Sequence, residues 1–186
     1  MDAINENQVR YICEQMMGVH WVPNISSEVF DVVRKCDSKL ELMYLLGVGF
    51  HIYENALKHG NGHDEYPAIM KGELSDGQDG VWFVEPWFGY CPACGNGPSA
   101  LMFVPQYKSP EKDIHHDFGV FTAGDNGAHS GWNFQYAVEI DGYGVHKDRR
   151  KSDEFRDRGL SYPIYRYYEE SLLLLHGLLQ QSIVIA

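Results

Sequence analysis

The sequence predicts an α/β (α+β) fold in which helices flank a mixed β-sheet. Three observations lead to this prediction. The first third of the chain has helix-like apolar periodicity, the stretch from 81 to 142 contains a series of β-like runs, and a helix–strand–helix pattern follows from 148 onward. With 186 residues, the chain can bury one hydrophobic core without disulfide support, so we expect residues 1–186 to form a single domain.

The helical part contains two predicted helices before residue 60. Serine caps start a short helix over 28–35, and a longer helix begins at 37 or 38 and ends near Gly60. The longer helix is apolar on almost every side between Leu40 and Ile52, which predicts burial of most of its surface. The Gly- and Asp-rich stretch from 59 to 80 predicts loops with at most a short helix.

The predicted strands are β-like runs separated by turns that contain Gly, Pro or Asn. These runs are 81–87, 101–107, 115–123 and 134–142. A helix is then predicted over 148–160, a further strand over 163–168, and an amphipathic helix over the C-terminal residues.

Composition narrows the class of protein. No run approaches the roughly 20 apolar residues that cross a bilayer, and the polar start "MDAINENQVR" lacks the apolar core of a signal peptide. We therefore expect a cytoplasmic protein with no membrane partner. Its four cysteines are then reduced thiols or metal ligands rather than a disulfide framework.

Carboxylates concentrate on the last two strands before residue 142. Alternation over 134–141 places Glu139 and Asp141 on one face, about 7 Å apart, opposite an apolar face. If the strand over 115–123 pairs with it antiparallel, Asp117 approaches Glu139. Two carboxylates, a backbone carbonyl and waters suit Mg²⁺, a hard cation that prefers oxygen ligands. The alternative for both strands is a polar cluster at the edge of a sheet.

Short motifs in collinear order resemble the PD-(D/E)XK nuclease superfamily, and most closely its branch of very-short-patch-repair-type endonucleases. The resemblance implies a restriction-endonuclease-like core over about 38–170, preceded by an N-terminal helical extension. In order, the motifs are "SKLE" (38–41), "FVPQ" (103–106), "HDFGVF" (116–121), "VEIDGYGVH" (138–146), "DEFRDRGL" (153–160) and "IYRYY" (164–168).

The resemblance also implies a function and a site. It implies a metal-dependent endonuclease that hydrolyses phosphodiester bonds in DNA or RNA, with DNA preferred. Asp117 and Glu139 would hold Mg²⁺ or Mn²⁺, and Glu41 would be an acidic helper near the metal. The further site residues that it implies are Gln106, Asp141 and His146.

Several of these residues have a second interpretation. Glu41 also fits the third position of a capping box with Ser38, and His146 is a general base, a phosphate contact or a solvated loop residue. The superfamily usually has Lys where this chain has Asp141, so a cationic or general-base role falls on His146, Lys147 or another residue. The alternative function is a catalytically inactive nuclease-fold protein that binds nucleic acid or a protein partner.

Basic residues cluster after the carboxylate strand, although the formal net charge is −11. Seven of the 15 Lys and Arg residues lie between 141 and 166, together with five acidic residues. Either the first of these basic residues contact phosphate, or they form a solvated helix face. The predicted nucleic-acid contacts are Lys147, Arg149, Arg150 and Lys151. Asp153, Arg156 and Asp157 have the helical spacing of intramolecular ion pairs.

A Cys-containing loop over 89–97 has half of a zinc site, because Cys91 and Cys94 are separated by two residues. Either Zn²⁺ binds with two further ligands, which a homodimer could supply, or the loop carries two free thiols. The ligand count favours the free thiols. The other candidate ligands in the chain are Cys13, Cys36, His63, His115 and His116.

Overall fold

The structure, a computed structural model, describes residues 7, 9, 11, 26–59, 70–84, 100–124, 127–142 and 156–168. These residues form an α+β arrangement with a six-stranded mixed sheet in the order β1-β2-β3-β4-β5-β6. All neighbouring strands are antiparallel except β5 and β6, which are parallel. The elements are α1 (Ser27–Val33), α2 (Lys39–His59), β1 (Met70–Glu73), β2 (Asp79–Val84), β3 (Ala100–Lys108), β4 (His115–Gly124), β5 (Gly127–Asp141) and β6 (Ile164–Tyr168).

Serine side chains start both helices, as the sequence predicts. Ser26 is the N-cap of α1, and its Oγ accepts a hydrogen bond of 3.3 Å from the Val29 amide. At α2, Ser38 Oγ accepts one of 3.1 Å from the Glu41 amide. Each hydroxyl satisfies a backbone N–H that has no partner inside the first helical turn.

The main core lies between the helices and one face of the sheet. It contains side chains of α1, α2 and strands β2 to β5, and most of them are almost fully buried. Full burial of an aliphatic or aromatic side chain contributes about 1.5–3 kcal/mol, so this core is the main source of stability. Its members include Val29, Val32, Leu42, Leu45, Phe83, Phe103, Phe118, Val120, Val138 and Ile140.

A second apolar cluster lies on the opposite face of the sheet. Met102 and Val104 belong to it, whereas Phe103 between them belongs to the main core. Tyr107 and Phe121 complete its buried part, with ring centroids 5.4 Å apart. Partly buried side chains pack around it, and they are Leu74, Trp82, Trp132 and Phe134.

Within the described ranges, the five strands predicted from 81 onward are confirmed in order, and β5 begins at 127, seven residues before the predicted start at 134. The prediction of loops over 59–80 is wrong in part, because β1 and the start of β2 form an antiparallel hairpin there. The short run "MKGE" has almost no apolar alternation, so its pairing depends on backbone hydrogen bonds that sequence periodicity does not report. Gly77 closes the turn with a φ of 85°.

Three sequence predictions fall wholly or mostly outside the described residues. Of the helix predicted over 148–160, the structure describes helical residues 156 and 157 and a turn at 158 and 159. The Cys-containing loop over 89–97 and the C-terminal helix lie outside the described ranges. Within those ranges no helix is long and apolar enough to cross a membrane.

Replacing Gly119 by Ala tests the second cluster. A Cβ at Gly119 would lie 2.5 Å from Cγ of the Tyr107 ring. That ring stacks on Phe134, with centroids 5.1 Å apart, and has little room to move. We expect Gly119→Ala to lower the free energy of unfolding by about 1–3 kcal/mol, measured by urea titration.

Gly142→Ala is the matched control for this prediction. A Cβ there would lie 3.7 Å from Leu40 Cδ1, which is ordinary van der Waals contact. We expect the control to change the free energy of unfolding by less than about 0.5 kcal/mol. Equal urea midpoints for the two variants would contradict the packing described for Tyr107.

Candidate functional site

One part of the candidate site lies in β3, where the alternation of side chains between the two faces of the sheet is reversed at Gln106. Gln106 has a φ of 53° and is the one non-glycine residue with a positive φ in the described ranges. Residues three apart normally face opposite sides of a strand, yet Val104 and Tyr107 both pack in the second apolar cluster. The left-handed conformation at Gln106 shifts the alternation by one residue. Such conformations cost about 1–3 kcal/mol and concentrate at functional sites.

The reversal turns the Gln106 side chain toward the start of α2. Its Nε2 donates a hydrogen bond of 3.1 Å to Glu41 Oε2, and the same oxygen accepts one of 2.8 Å from the Asp37 amide. Glu41 is 4% exposed. The capping role expected for Glu41 is confirmed in part, and its role as an acidic helper near a metal stays a prediction. Glu41 helps to cap α2, through the Asp37 amide rather than that of Ser38, and it faces the candidate site.

Asp117 lies opposite Gln106 on β4, between the register pairs Pro105–Phe118 and Tyr107–His116. Its Oδ2 accepts a hydrogen bond of 2.5 Å from the Ile140 amide in β5. The regular pairing of β4 with β5 ends at Phe118–Val138. Just beyond it, the Ile140 amide donates to a side-chain oxygen instead of a backbone carbonyl. The antiparallel pairing expected from sequence is confirmed, and the Asp117 carboxylate lies against the peptide that joins Glu139 to Ile140.

The electrostatics on this side of the site are unfavourable to a negative charge. Burial raises the pKa of Asp117 to about 7, and the negative charges of Glu41, Glu139 and Asp141 add to the rise against the opposing effect of the Ile140 amide. Burial likewise raises the pKa of Glu41. In the part of the chain that the structure describes, neither carboxylate forms an ion pair with Lys or Arg. Because the Asp117 and Glu41 carboxylates are buried close together, binding of a proton or another cation by them is favoured.

Glu139 points to the other face, because Val138 and Ile140 on either side of it pack in the main core. Its Oε1 lies 2.7 Å from Nδ1 of the buried His116 and 2.8 Å from Arg156 Nη2. The described contacts of the Glu139 side chain thus converge on one oxygen.

Asp141, the second carboxylate expected on this face, lies at the end of a chain of alternating charges. Arg156 Nε lies 3.1 Å from Asp157 Oδ1, and Arg166 Nη2 donates to Asp157 Oδ2. Arg166 Nη1 then lies 3.6 Å from Asp141 Oδ2. The prediction that Arg156 and Asp157 form intramolecular ion pairs is confirmed. The partners of Arg156 include Glu139, which sequence spacing does not indicate.

Sequence reasoning considered His116 as a zinc ligand and missed its contact with Glu139. His116 Nε2 lies 3.0 Å from Tyr162 Oη, which donates a hydrogen bond of 2.6 Å to Ser109 Oγ. Both ring nitrogens therefore have partners, which removes His116 as a zinc ligand. A signal was present in "HHD", but regular alternation would have placed His116 in the main core with Phe118.

Cys36, another candidate zinc ligand, is a buried free thiol at the edge of the acidic group. Burial raises its pKa, and the nearby Glu41 and Asp117 raise it further, so the thiol stays protonated. The residues whose predicted roles lie outside the described ranges are Cys13, His63, Cys91, Cys94, His146, Lys147, Arg149, Arg150, Lys151 and Asp153. Their predicted roles stay predictions.

Within the described ranges, no group of three or more His, Cys, Asp or Glu side chains is arranged to hold a metal ion. A magnesium site does not need such a group, since Mg²⁺ keeps several waters and uses one or two carboxylates. Asp117 is a buried carboxylate without a cation partner among those residues, and Glu139 contributes a second oxygen-rich side chain from the adjacent strand. Carboxylate oxygens suit Mg²⁺ or Mn²⁺ better than Zn²⁺, which prefers nitrogen and sulfur. The described Asp117 and Glu139 side chains nevertheless lie on opposite faces of the sheet and do not meet at one cation position.

Comparisons of the chain with protein-family models, curated proteins and solved structures found no match. The superfamily resemblance therefore rests on the collinear motifs and stays an expectation.

Asp117→Asn tests the uncompensated charge, because the amide oxygen still accepts from Ile140. The folded pKa of about 7 lies above the unfolded value of about 3.9. Ionisation therefore costs the native state nothing below about pH 4, and the cost grows until it is complete above about pH 7. We expect the variant to gain about 2 kcal/mol of stability relative to wild type between about pH 5 and about pH 8.

The measurement is urea unfolding of wild type and Asp117→Asn at about pH 5 and about pH 8, in the presence of a chelator. The control is Asp113→Asn, which removes the same charge from a side chain that is 93% exposed. A stability difference for Asp117→Asn that does not change with pH would contradict the raised pKa.

Proposed function

We propose that the chain is a metal-dependent nuclease that hydrolyses phosphodiester bonds in DNA or RNA, with Asp117 and Glu139 holding Mg²⁺ or Mn²⁺. The observation that supports this most directly is the buried Asp117 carboxylate, which accepts from the Ile140 amide and has no described cation partner. A cation shared with Glu139 requires the Glu139 side chain to turn from His116 and Arg156 toward Asp117. The collinear superfamily motifs support it independently, and they favour DNA over RNA.

The side chains of the site have distinct tasks in this proposal. Asp117 and Glu139 bind the cation, which when bound lowers the pKa of water and offsets charge that develops on the phosphoryl group. Gln106 holds Glu41 close enough to add negative potential at Asp117. His116 fixes the Glu139 carboxylate through Oε1. Asp141 is near Arg166, so we assign it a role in anchoring β6 rather than in proton transfer.

Nucleic acid would reach the site over the segment after β5. The basic residues from 147 to 151 are proposed to meet phosphate, because contacts to the backbone supply affinity without sequence information. The net charge of −11 limits this contact to a local surface. A cytoplasmic location, where the free Cys36 stays reduced, is part of the proposal.

A second function is favoured by the contacts of Glu139. His116 and Arg156 already share its Oε1, so the carboxylate is compensated without a metal. A nuclease-fold protein that has lost cleavage and binds nucleic acid or a protein partner would tolerate such compensation. This alternative predicts that no divalent cation binds in a manner dependent on Asp117.

Cleavage assays test the nuclease proposal. Purified protein is incubated with single- and double-stranded DNA and RNA in Mg²⁺ or Mn²⁺, alongside Asp117→Asn, Glu139→Gln and the double variant. We expect each single change to lower the cleavage rate at least about 100-fold, because each removes a charged ligand. Asp113→Asn, far more exposed, is expected to cleave like wild type.

The outcomes separate the two functions. Cleavage by the double variant at the wild-type rate would contradict the assignment of Asp117 and Glu139 as cation ligands. Calorimetry on the same proteins distinguishes the alternative: absence of both cleavage and Asp117-dependent cation binding favours the inactive binding protein.

A further inference from the structure

Residues 156–168, which we call the flap, lie at one edge of the sheet. They contain a helical turn at 156 and 157, a connecting stretch and β6, the last strand in the sheet order, which pairs in parallel with β5. Every residue of the flap is partly or largely exposed, whereas the β5 residues that pair with β6, from Ala137 to Asp141, are buried. Apolar burial therefore contributes less to holding the flap than to holding β5.

The aromatic contacts of the flap are made by tyrosines that keep part of their surface in solvent. Tyr165 is 50% exposed, and Tyr162 and Tyr167 are partly exposed. Each packs on a ring of the sheet or of α2, and these partners are Phe134 for Tyr162, Tyr136 for Tyr165 and Tyr44 for Tyr167. Partly exposed rings bury less apolar surface than the core side chains do, so polar contacts have a larger share in holding the flap.

The loop between β3 and β4 is joined to the flap by charged side chains. Lys112 Nζ donates to the backbone carbonyl oxygens of Arg156, at 2.9 Å, and of Arg158, at 2.6 Å. The Glu111 carboxylate accepts from the Ser161 amide, at 2.9 Å, and from the Ser161 hydroxyl. Hydrogen bonds with one charged partner are stronger than neutral ones, so these contacts fasten the flap to the loop.

Ion pairs also fasten the flap to β5. Arg156 Nη2 lies 2.8 Å from Glu139 Oε1, and Arg166 Nη1 lies 3.6 Å from Asp141 Oδ2. Both carboxylates are buried. Moving the flap away from β5 would take these counter-charges from Glu139 and Asp141, which favours the closed arrangement.

We propose that the flap opens and closes as one unit, and that the polar contacts of Lys112, Glu111 and Arg156 hold it closed. A segment with little buried apolar surface and exposed hydrogen bonds opens at a lower free energy than the whole domain unfolds. Opening separates Glu139 from Arg156 and leaves the backbone groups on the outer edge of β5 free to pair with another strand. The proposal requires no bound cation.

Two amides of β5 distinguish opening of the flap from loosening of the whole sheet. The Ala137 amide donates to the carbonyl oxygen of Pro163, in the flap, at 3.0 Å. The Ile140 amide donates to Asp117 Oδ2, on β4, at 2.5 Å. Opening of the flap removes the acceptor of Ala137 and leaves that of Ile140 in place.

Hydrogen–deuterium exchange of the individual amides, followed by NMR, tests the proposal. In the wild type we expect the amides of Ala137 and β6 to be protected, yet to exchange at least about tenfold faster than that of Ile140. Lys112→Met keeps an unbranched apolar side chain without the ammonium group. We expect it to speed the exchange of the Ala137 and β6 amides about tenfold and to leave Ile140 within about twofold of wild type.

Lys108→Met is the matched control in the same loop. The Lys108 side chain is 58% exposed, and its ammonium lies 3.4 Å from Asp113, which is 93% exposed. We expect this variant to leave the exchange of both the Ala137 and the Ile140 amides within about twofold of wild type.

Tyr162→Phe tests whether the flap opens as one unit. This change removes the hydroxyl that donates to Ser109 at 2.6 Å and keeps the ring that packs on Phe134. Because Tyr162 and Lys112 hold different parts of the flap, opening as one unit predicts that both variants accelerate the same amides, those of Ala137 and β6.

Several results would overturn the proposal. Equal acceleration of Ala137 and Ile140 in Lys112→Met would mean that the whole sheet loosens, and a Lys112→Met variant that behaves like Lys108→Met would mean that Lys112 does not hold the flap. Unprotected β6 amides in the wild type would contradict a closed flap. Acceleration confined to residues beside each substitution would contradict opening as one unit. Should Lys112→Met lack native circular dichroism, Lys112→Gln is judged by the same criteria.

Discussion

The hydrogen bond from the Ile140 amide to the Asp117 carboxylate is the interaction on which the rest of the site depends. It uses a side chain where a sheet would normally use a backbone carbonyl, just beyond the Phe118–Val138 pair. The carboxylate is thereby drawn between two strands and away from water, and burial raises its pKa to about 7. A chain that keeps a carboxylate there accepts a cost in stability, which is typical of functional sites.

The carboxylates on the two faces of the sheet differ in whether they form ion pairs. On the helix side, Glu41 and Asp117 are buried together with amide and backbone donors but no described ion pair. On the other face, Arg156 and Arg166 alternate with Glu139, Asp157 and Asp141. The negative potential is therefore concentrated at Asp117, and the compensated face holds Glu139, β6 and the segment from 156 in fixed positions around it.

Local patterns in the sequence predicted much of the fold. Serine caps located both helices, and apolar alternation located the strands from β2 to β6, because each signal depends on neighbouring residues. The positive φ of Gln106 could not be predicted, since glycine usually occupies that conformation. The contacts of Glu139 with His116 and Arg156 follow from that reversal and from packing of residues 156–162, so no spacing rule indicates them.

A crystal structure of the protein soaked in Mn²⁺, with anomalous scattering data, tests the cation site most directly. We expect one anomalous peak about 2.1 Å from oxygens of both Asp117 and Glu139, with the Glu139 side chain turned toward Asp117. Asp117 would then be ionised, and its hydrogen bond to the Ile140 amide would be retained. Fully soaked crystals with no peak within reach of both carboxylates would contradict the cation site and leave only the fold.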